Sequence, residues 1–388
     1  MGRCFWTGVE QGIHARSERP TQSPETRRTR LVAPGPVTVT VSRYLVTGCA
    51  GFLGSHLTET LLEQGNDVVG VDGFTDFYSR DAKYENLARA RASNRFSLIE
   101  GHITELDADR LLDGVSGVFH LAAQAGVRGS WGTSFSVYLA DNVLSTQRLF
   151  EAAARAAIRI VFASSSSVYG NAETYPTTEE TPPRPISPYG VTKLGCEELM
   201  YAFRSELGLD AVALRYFTVY GPRQRPDMAF TRMLSALLHG DVFTVYGSGQ
   251  QSRDFTFAAD VVAATIAAMD APSPSNVYNV SGGSEASLHD VIHISEELVG
   301  RRLKVVNDAR AVGDVQRTAG DTTRIHRDLG WAPSTTLSEG LAAQIGWLQD
   351  PTNFPTCFGD LSQWRDPSSP PDRRSRPSLA ASSRAPAD

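Results

Sequence analysis

Lysine is nearly absent from this sequence. Its 388 residues include only Lys83, Lys193 and Lys304, so arginine carries the remaining positive charge and a lysine within a motif is informative. The four cysteines are scattered, without CxxC or metal-ligand spacing, which predicts reduced thiols in a cytoplasmic protein and no metal site. No apolar run reaches the length of about 18 residues that a membrane span needs. The N-terminus also lacks the apolar segment of a secretion signal.

The overall charge and composition are those of an ordinary globular protein. The net charge of −6 gives no reason to expect nucleic acid or an anionic membrane as a partner. Segments rich in Arg, Ser, Thr and Pro, without an apolar period, predict disordered tails at 1–42 and 351–388. A chain of 388 residues is long enough for about two domains.

Short apolar runs alternate with amphipathic stretches between the two tails. The runs predict buried parallel strands at 44–48, 67–72, 96–100, 117–123, 158–164 and 211–217. Strands that alternate with helical patterns indicate βαβ units, and therefore a doubly wound α/β fold. We expect this Rossmann domain at 43–220 and a smaller, mixed α/β substrate domain at 221–350, with contributions from the 180s.

The stretch "GCAGFLG" has the glycine spacing of a dinucleotide-binding loop. Gly48, Gly51 and Gly54 follow a predicted strand and open a helix, so that phosphates would meet the positive helix N-terminus. Asp72 ends the next predicted strand, where its carboxylate can accept hydrogen bonds from ribose hydroxyls. Because a carboxylate repels a 2′-phosphate, the predicted cofactor is NAD rather than NADP.

The stretch "YGVTK" places Tyr189 and Lys193 four residues apart, so that both side chains share one face of a helix. A tyrosine is a poor base at neutral pH, because its ordinary pKa is about 10. A neighbouring ammonium, together with the positive charge of oxidised nicotinamide, favours the phenolate. We predict that this pair is catalytic.

Together with these motifs, the chain resembles the extended short-chain dehydrogenases/reductases, in the branch of NAD-dependent sugar-nucleotide epimerases and dehydratases. Further motifs that carry the resemblance are "HLAAQAGV", "NVLST", "ASSSSVYG", "RYFTVYGP", "RDFTF" and "GDVQRTAGD". The resemblance implies a Rossmann domain that holds NAD tightly, a C-terminal domain that binds a nucleoside-diphosphate sugar, and a homodimer. The further cofactor contacts that it implies are Phe52, Leu53, His102, Ile103, Leu121, Ala122 and Ala123.

The serine run supplies the catalytic hydroxyl that the resemblance implies. In the family this hydroxyl lies four residues before the tyrosine of "VYG", a position that Ser165 holds here. Its role is to share the sugar O4 with the phenolate of Tyr189 while hydride leaves C4 for NAD. We expect the adjacent Ser164 to cap the loop backbone instead, and His120 to be a packed strand-end residue. The family often has Gly-Asp near adenine where this chain has His102, which leaves the adenine contact open.

Two more serines bear on the chemistry that follows oxidation. Related dehydratases and UDP-glucuronate decarboxylases carry a glutamate two residues before the tyrosine of "VYG", where this chain has Ser167. Dehydratases add an aspartate next to it, where this chain has Ser166. Because no acid or base is present there, elimination of water lacks its proton carrier. The sequence therefore favours a 4-epimerase.

The sugar is identified by residues further along the chain. Thr218 and Arg225 match positions that UDP-glucuronate 4-epimerases use to hold the sugar carboxylate. Arg225 offers a planar fork suited to a carboxylate, with a pair to Asp227 or to a substrate phosphate as the alternative. The favoured reaction is therefore the interconversion of UDP-glucuronate and UDP-galacturonate. Alternatives are an epimerase of the UDP-glucose/UDP-galactose type, a UDP-glucuronate decarboxylase and a non-catalytic NAD-binding relative.

The same resemblance assigns three residues to the rest of the substrate. Arg253 is expected to meet the diphosphate and Asp314 the uridine ribose, with an ion pair between domains as the alternative for each. Arg128 either approaches the sugar or is an ordinary loop arginine. These residues complete the predicted UDP-sugar site.

Overall fold

The computed structural model describes residues 41–272, 274–309 and 313–353. The tails predicted at 1–42 and 351–388 lie outside these residues, apart from 41–42 and 351–353. Within the described ranges, no helix is long and apolar enough to cross a membrane.

The described residues form the following regular elements. The strands are β1 (Arg43–Thr47), β2 (Asp67–Asp72), β3 (Phe96–Glu100), β4 (Gly117–His120), β5 (Arg159–Ser165), β6 (Ala211–Tyr216), β7 (Thr218–Tyr220), β8 (Val242–Tyr246), β9 (Ser252–Phe257), β10 (Val277–Val280), β11 (Glu285–Ser287) and β12 (Lys304–Asp308). The helices are α1 (Phe52–Glu63), α2 (Arg80–Asn86), α3 (Ala88–Arg91), α4 (Ala108–Leu111), α5 (Phe135–Tyr138), α6 (Ser145–Ala156), α7 (Pro188–Leu207), α8 (Ala229–His239), α9 (Ala258–Asp270), α10 (Leu288–Val299), α11 (Thr323–Leu329) and α12 (Leu337–Gln349). A π-helical turn at Leu139–Leu144 joins α5 to α6, and a 3₁₀ turn at Ser166–Val168 follows β5.

The large sheet confirms the predicted α/β class. In the described part of the chain it has seven parallel strands in the order β3, β2, β1, β4, β5, β6, β10. The six predicted apolar runs become its first six strands, and β2 and β3 have the predicted bounds. β4 ends at His120 rather than at 123, because its pairing with both β1 and β5 stops there.

Helices cover both faces of this sheet, which explains why its strands are continuous apolar runs. Along β5, Ile160 and Phe162 belong to one apolar cluster, while Val161 and Ala163 belong to the cluster on the opposite face. Helices α6 and α7 contribute to the first cluster, and α1 and α9 contribute to the second. The strand ends are thereby held rigidly between two layers.

A further apolar cluster lies among α8, α10, α12, β8 and β9. Strands β7, β9 and β11 form a small sheet there, and β8 pairs with β12. Not every element after residue 221 belongs to this region, because α9 packs on the large sheet and β10 extends it beside β6. The division into domains at residue 220 stays a prediction.

Candidate active site

The order of the large sheet reverses between β1 and β4, and ligands bind open α/β sheets at such a point. A cleft opens there at the carboxyl ends of the strands. All the residues predicted to contact the cofactor line this cleft: Gly48, Gly51, Phe52, Leu53, Gly54, Asp72, His102, Ile103, Leu121, Ala122, Ala123, Tyr189 and Lys193. The structure therefore brings them together, while their individual roles stay predictions.

The glycine loop is packed too closely for side chains at two of its positions. Gly48 has a φ of +71°, and a Cβ there would lie 2.8 Å from the backbone nitrogen of Ala122. A Cβ on Gly54 would lie 2.0 Å from the carbonyl oxygen of Gly48. Helix α1 begins after Gly51 without a side-chain cap, so its first N–H groups are not satisfied by a side chain. This bare backbone cradle at a helix N-terminus fits a pyrophosphate.

Asp72 is fixed at the end of β2 by two backbone groups. Its carboxylate accepts hydrogen bonds from the N–H groups of Ala50, at 3.1 Å, and Phe74, at 2.8 Å. The Lys83 ammonium lies 3.6 Å from the same carboxylate and donates to the Thr75 carbonyl at 3.2 Å. Lys83 is buried and lines the cleft, although the sequence analysis gave it no role. The scarcity of lysine is the signal that could have drawn attention to it.

His102 occupies the cleft position where the family often has an aspartate. Its imidazole lies against Gly73, the residue after β2, so it covers the end of that strand. The Nδ1 atom of His102 is 3.8 Å from a carboxylate oxygen of Asp141. Asp141 also lines the cleft, so a carboxylate is present near this position from a different part of the chain.

His120 is packed at the end of β4. Its Nδ1 lies 2.7 Å from the Thr47 hydroxyl and its Nε2 lies 2.9 Å from the Thr146 hydroxyl. Burial, and then the charge of Lys193, lower the pKa of His120 to about 3. The ring is therefore neutral and both of its nitrogens have partners inside the protein.

Ser165 and Tyr189 both line the cleft. Ser165 ends β5, and its hydroxyl accepts a hydrogen bond from the N–H of Ser167 at 3.1 Å. Helix α7 begins at Pro188 after a Ser187 cap, which places Tyr189 in the first turn. Burial raises the pKa of the Tyr189 phenol, while its hydrogen bond with Ser165 lowers that pKa. The structure therefore brings the two predicted catalytic hydroxyls to the same cleft.

Lys193 lies one turn further along α7, with its side chain almost fully buried. Its ammonium donates to the carbonyl oxygen of Ala163 on β5 at 2.7 Å. Burial lowers the pKa of Lys193 to about 8, so the ammonium is still the main form at pH 7. The charge that acts on the Tyr189 phenol comes from Arg225, which lowers its pKa.

The expectation that Ser164 caps the loop backbone is wrong. Its hydroxyl donates to the carboxylate of Glu197 on α7, and both side chains are buried. Ser165 makes the local contact to the loop backbone instead, because strand residues alternate and its side chain points to the opposite side. No motif singled out Glu197, although it follows Lys193 by one further helical turn.

The residues predicted to face the sugar lie beside the residues predicted to be catalytic. Ser166, Ser167, Thr218 and Arg225 all line the cleft with Tyr189. The Arg225 guanidinium is engaged in a two-pronged pair with Asp227, with Nε and Nη2 at 2.9 and 2.8 Å from the carboxylate oxygens. The structure therefore shows the alternative contact that the sequence left open for Arg225.

The residues predicted to hold the nucleotide converge in an adjoining cavity. Arg128 and Arg253 approach opposite oxygens of the Asp314 carboxylate, at 3.2 and 3.8 Å. The Arg128 guanidinium also stacks over the Tyr246 ring at 4.4 Å from its centre. Thr218 and Arg225 line both this cavity and the cleft, so the two spaces are neighbours. Tyr246 carried no recognisable motif in the sequence.

The described residues hold no group of three or more His, Cys, Asp or Glu side chains able to bind a metal ion. Cys49 and Cys196 are buried free thiols. Burial raises the pKa of both thiols, so neither is a thiolate at neutral pH.

A family model described as GDP-mannose 4,6 dehydratase matches residues 45–344. The chain belongs to this family. One relative within it is the uncharacterized UDP-glucose epimerase YtcB of Bacillus subtilis, 40% identical over 309 residues, which are 79% of this chain and 98% of that protein. Another is a UDP-glucuronate 4-epimerase of Thermodesulfobacterium geofontis, 36% identical over 315 residues, which are 79% of this chain and 96% of that protein.

A solved structure is also similar to this chain. It is the UDP-glucuronic acid 4-epimerase of Bacillus cereus in complex with UDP-glucuronic acid and NAD, at 37% identity and a TM-score of 0.76. The match covers 79% of this chain and 99% of that one. Family membership confirms the resemblance to the extended short-chain dehydrogenases/reductases that the motifs carried.

Proposed function

We propose that this protein is an NAD-dependent UDP-sugar 4-epimerase that interconverts UDP-glucuronate and UDP-galacturonate through a transient 4-keto intermediate. The observation that carries the proposal is that Ser165 and Tyr189 line the same cleft as the glycine loop. The relatives named UDP-glucuronate 4-epimerase, and the complex of one of them with UDP-glucuronic acid and NAD, support it.

The residues of the cleft fit NAD. Backbone around Gly48 and Gly54 would hold the pyrophosphate, and Asp72 would accept hydrogen bonds from the adenosine ribose. The nicotinamide end would then lie toward Ser165 and Tyr189 at the other side of β1. When bound, NAD supplies the oxidant that accepts the C4 hydride and later returns it.

The side chains of β5 and α7 handle the proton of the sugar O4. Tyr189 is the base that removes this proton, and Ser165 shares the oxygen with it by a hydrogen bond. The guanidinium of Arg225 and the Ser165 contact both favour the phenolate against the effect of burial. Lys193 contributes a positive charge fixed to β5 through the carbonyl of Ala163.

The lack of an acidic side chain at positions 166 and 167 determines which reaction the keto sugar undergoes. Ser166 and Ser167 line the cleft beside Tyr189, and neither can shuttle the proton that elimination of water requires. The intermediate therefore has one productive course, which is to turn over and be reduced on its other face. Protonation by Tyr189 completes the reaction.

The acidic sugar is assigned through Thr218 and Arg225, which would hold its carboxylate. The second candidate is a neutral-sugar epimerase of the UDP-glucose type. One observation favours it, because Asp227 already occupies both prongs of the Arg225 guanidinium. The Bacillus subtilis relative, which is named a UDP-glucose epimerase, also supports this second candidate.

The nucleotide would occupy the adjoining cavity. There Arg253 would pair with the diphosphate, Asp314 would accept from the uridine ribose, and Arg128 would approach the sugar. In the structure each of the two arginines forms an ion pair with Asp314. A bound diphosphate would then compete with Asp314 for the two guanidinium groups.

We further propose that the enzyme is a cytoplasmic homodimer. The segment 135–144 and helix α7 pack against each other and expose large apolar side chains to the outside. Exposed on them are Val137, Leu139, Leu144 and Val191. A second copy that covered these side chains would remove them from water. The buried free thiols of Cys49 and Cys196 support a reducing compartment.

The proposal is tested by incubating the purified protein, without added NAD, with UDP-glucuronate and separately with UDP-glucose, and following each by proton NMR. We expect UDP-galacturonate to form from UDP-glucuronate. Replacement of Tyr189 by Phe should lower the rate by about 10²- to 10⁴-fold, with bound NAD unchanged as the control. Conversion of UDP-glucose alone would transfer the assignment to the second candidate. Conversion of neither sugar would overturn the enzymatic assignment.

A further inference from the structure

One face of helix α7 carries three polar side chains that face three consecutive residues at the end of β5. Tyr189 shares the cleft with Ser165, Lys193 donates to the carbonyl of Ala163, and Glu197 accepts from the hydroxyl of Ser164. The three helix residues are spaced by four, so they form a single row along the helix.

We propose that Glu197 is a positioning residue for catalysis, which holds α7 in register with β5 and so aligns Tyr189 with Ser165. The inference rests on the proposed function, because the alignment matters only where these two hydroxyls share a substrate oxygen. Glu197 itself does not line the cleft and acts through Ser164.

The Glu197 carboxylate is anchored from the far side by a buried arginine. Arg215 on β6 donates to it through Nε at 3.0 Å and through Nη2 at 2.6 Å. Both side chains are nearly inaccessible to water. A buried ion pair is expensive to desolvate and often adds little stability compared with apolar residues of similar size. Such a pair directly beneath a catalytic strand end therefore points to a role in geometry.

The anchor extends across the sheet to β10. Arg215 also donates to the Tyr169 hydroxyl at 2.7 Å, and Tyr169 donates to the side-chain oxygen of Asn279 at 2.7 Å. Asn279 in turn donates to the carbonyl oxygen of Thr177 at 2.9 Å. Four elements of the sheet region, β5, β6, β10 and α7, are thereby tied to one carboxylate. A shift of α7 along β5 would break several of these contacts at once.

Ser164 is the contact that transmits this anchor to the catalytic residue. It is adjacent to Ser165 in the same strand, so a rotation of the backbone that releases one side chain turns the other. Replacing Ser164 by Ala removes the link and leaves the Arg215–Glu197 pair intact, because Arg215 donates to both carboxylate oxygens. The substitution therefore avoids an unpaired buried charge.

The test compares Ser164→Ala with Ser295→Ala in the purified full-length protein. Ser295 is also a buried serine, and its hydroxyl donates to the carbonyl of Val291 within α10. Val291 belongs to the apolar cluster among α8, α10, α12, β8 and β9, away from the cleft. We expect Ser164→Ala to lower kcat for 4-epimerisation about tenfold with KM within about twofold, since substrate contacts remain. Ser295→Ala should leave both constants unchanged, and Ser164→Thr, which retains a hydroxyl, should recover most of kcat.

Unchanged kcat in Ser164→Ala, or an equal loss in Ser295→Ala, would overturn the inference while leaving the proposed function in place. If the unmodified protein converts neither UDP-glucuronate nor UDP-glucose, the proposed function has failed instead. The crystal structure of Ser164→Ala then decides the positioning claim. The distance between the Tyr189 and Ser165 hydroxyls should be longer than in the unmodified protein, and an unchanged distance would contradict the claim.

Discussion

The guanidinium of Arg225 and the carboxylate of Asp227 form a two-pronged ion pair within one loop, with both contacts under 3 Å. Both side chains are mostly buried, and the charge of Arg225 acts on the Tyr189 phenol. The arginine is therefore held in a fixed orientation, and its charge acts on Tyr189. Because Asp227 partly offsets the attraction of Arg225 for a sugar carboxylate, we propose that this pair determines the choice of sugar.

Replacing Arg225 by Ala should lower kcat/KM for UDP-glucuronate by about 10- to 100-fold, the effect of losing a hydrogen-bonded charge. The loss for UDP-glucose should be smaller, because that sugar has no carboxylate. Some UDP-pentose should also appear, since the keto acid is no longer clamped. Kinetics on both sugars with product analysis by NMR checks this. Full activity of the variant on UDP-glucuronate would rule out the carboxylate role.

Asp227→Asn serves as the matched variant for this loop. It keeps the shape of the side chain and removes the charge that competes for Arg225. We expect KM for UDP-glucuronate to fall relative to KM for UDP-glucose. An opposite change would mean that Asp227 holds Arg225 in place for substrate rather than competing with it.

Replacing Lys193 by Met should stabilise the fold at pH 7 while abolishing activity. The pKa of Lys193 is about 8 in the folded protein against an ordinary 10.5, so its buried ammonium costs about 3 kcal/mol below pH 8. Loss of the hydrogen bond from Lys193 to the Ala163 carbonyl offsets about 1 kcal/mol of this gain in stability. The melting temperature of Lys193→Met should therefore rise by a few degrees.

The pKa of Lys193 also determines whether the stability of the fold rises or falls with pH. Between about pH 8 and 10.5 the unfolded chain keeps a proton on Lys193 that the folded chain releases, so the wild type gains stability as pH rises. The advantage of Lys193→Met should shrink over this range, while kcat of the wild type falls as the ammonium is lost. Lys304→Met, an exposed lysine on β12, is the control and should change neither quantity. A constant stability difference across this range would contradict the assignment.

Replacing Gly54 by Ala should weaken the binding of NAD in the cleft. Its Cβ would lie 2.0 Å from the Gly48 carbonyl oxygen, so the loop must move by a distance that disrupts the pyrophosphate cradle. Overpacking of this kind costs about 1–3 kcal/mol, which corresponds to a loss of about 10- to 100-fold in NAD affinity. NAD released on denaturation measures this. Gly346→Ala, on an exposed position of α12 with no atom near its Cβ, should retain all of its NAD.

Replacing Val191 by Glu should convert the proposed dimer to a monomer. Val191 is exposed on α7 beside the apolar segment 135–144, and a buried charge at a two-fold interface is repeated in both copies. Light scattering after size-exclusion chromatography gives the mass directly. Val305→Glu, on an exposed position of β12, should remain a dimer. A wild type that is monomeric at all concentrations would remove the dimer proposal.

Much of the fold could be predicted from the sequence because its signals are local. The apolar runs predicted the exact first and last residues of β2 and β3, and the four-residue spacing predicted that Tyr189 and Lys193 share one face of a helix. The residues that the sequence analysis missed are defined by contacts distant in the chain. Glu197 acquires its importance from Ser164 and Arg215, and Lys83 from Asp72.

The substrate side shows a different limit. The alternative of a pair with Asp227 was visible in the sequence, because the two residues are two apart, but only the loop geometry shows that both prongs are engaged. The addition of β10 to the large sheet likewise depends on a return of the chain that no short-range pattern encodes. Long-range pairing is thus what the structure adds.

The central claim is that Tyr189 and Ser165 serve a transient oxidation at C4 in which the same hydride leaves and returns. The most direct measurement uses UDP-glucuronate carrying deuterium at C4, in ordinary water, with the product examined by NMR and mass spectrometry. The account predicts UDP-galacturonate that retains the deuterium at C4. Product in which that deuterium has been replaced by solvent hydrogen would contradict it.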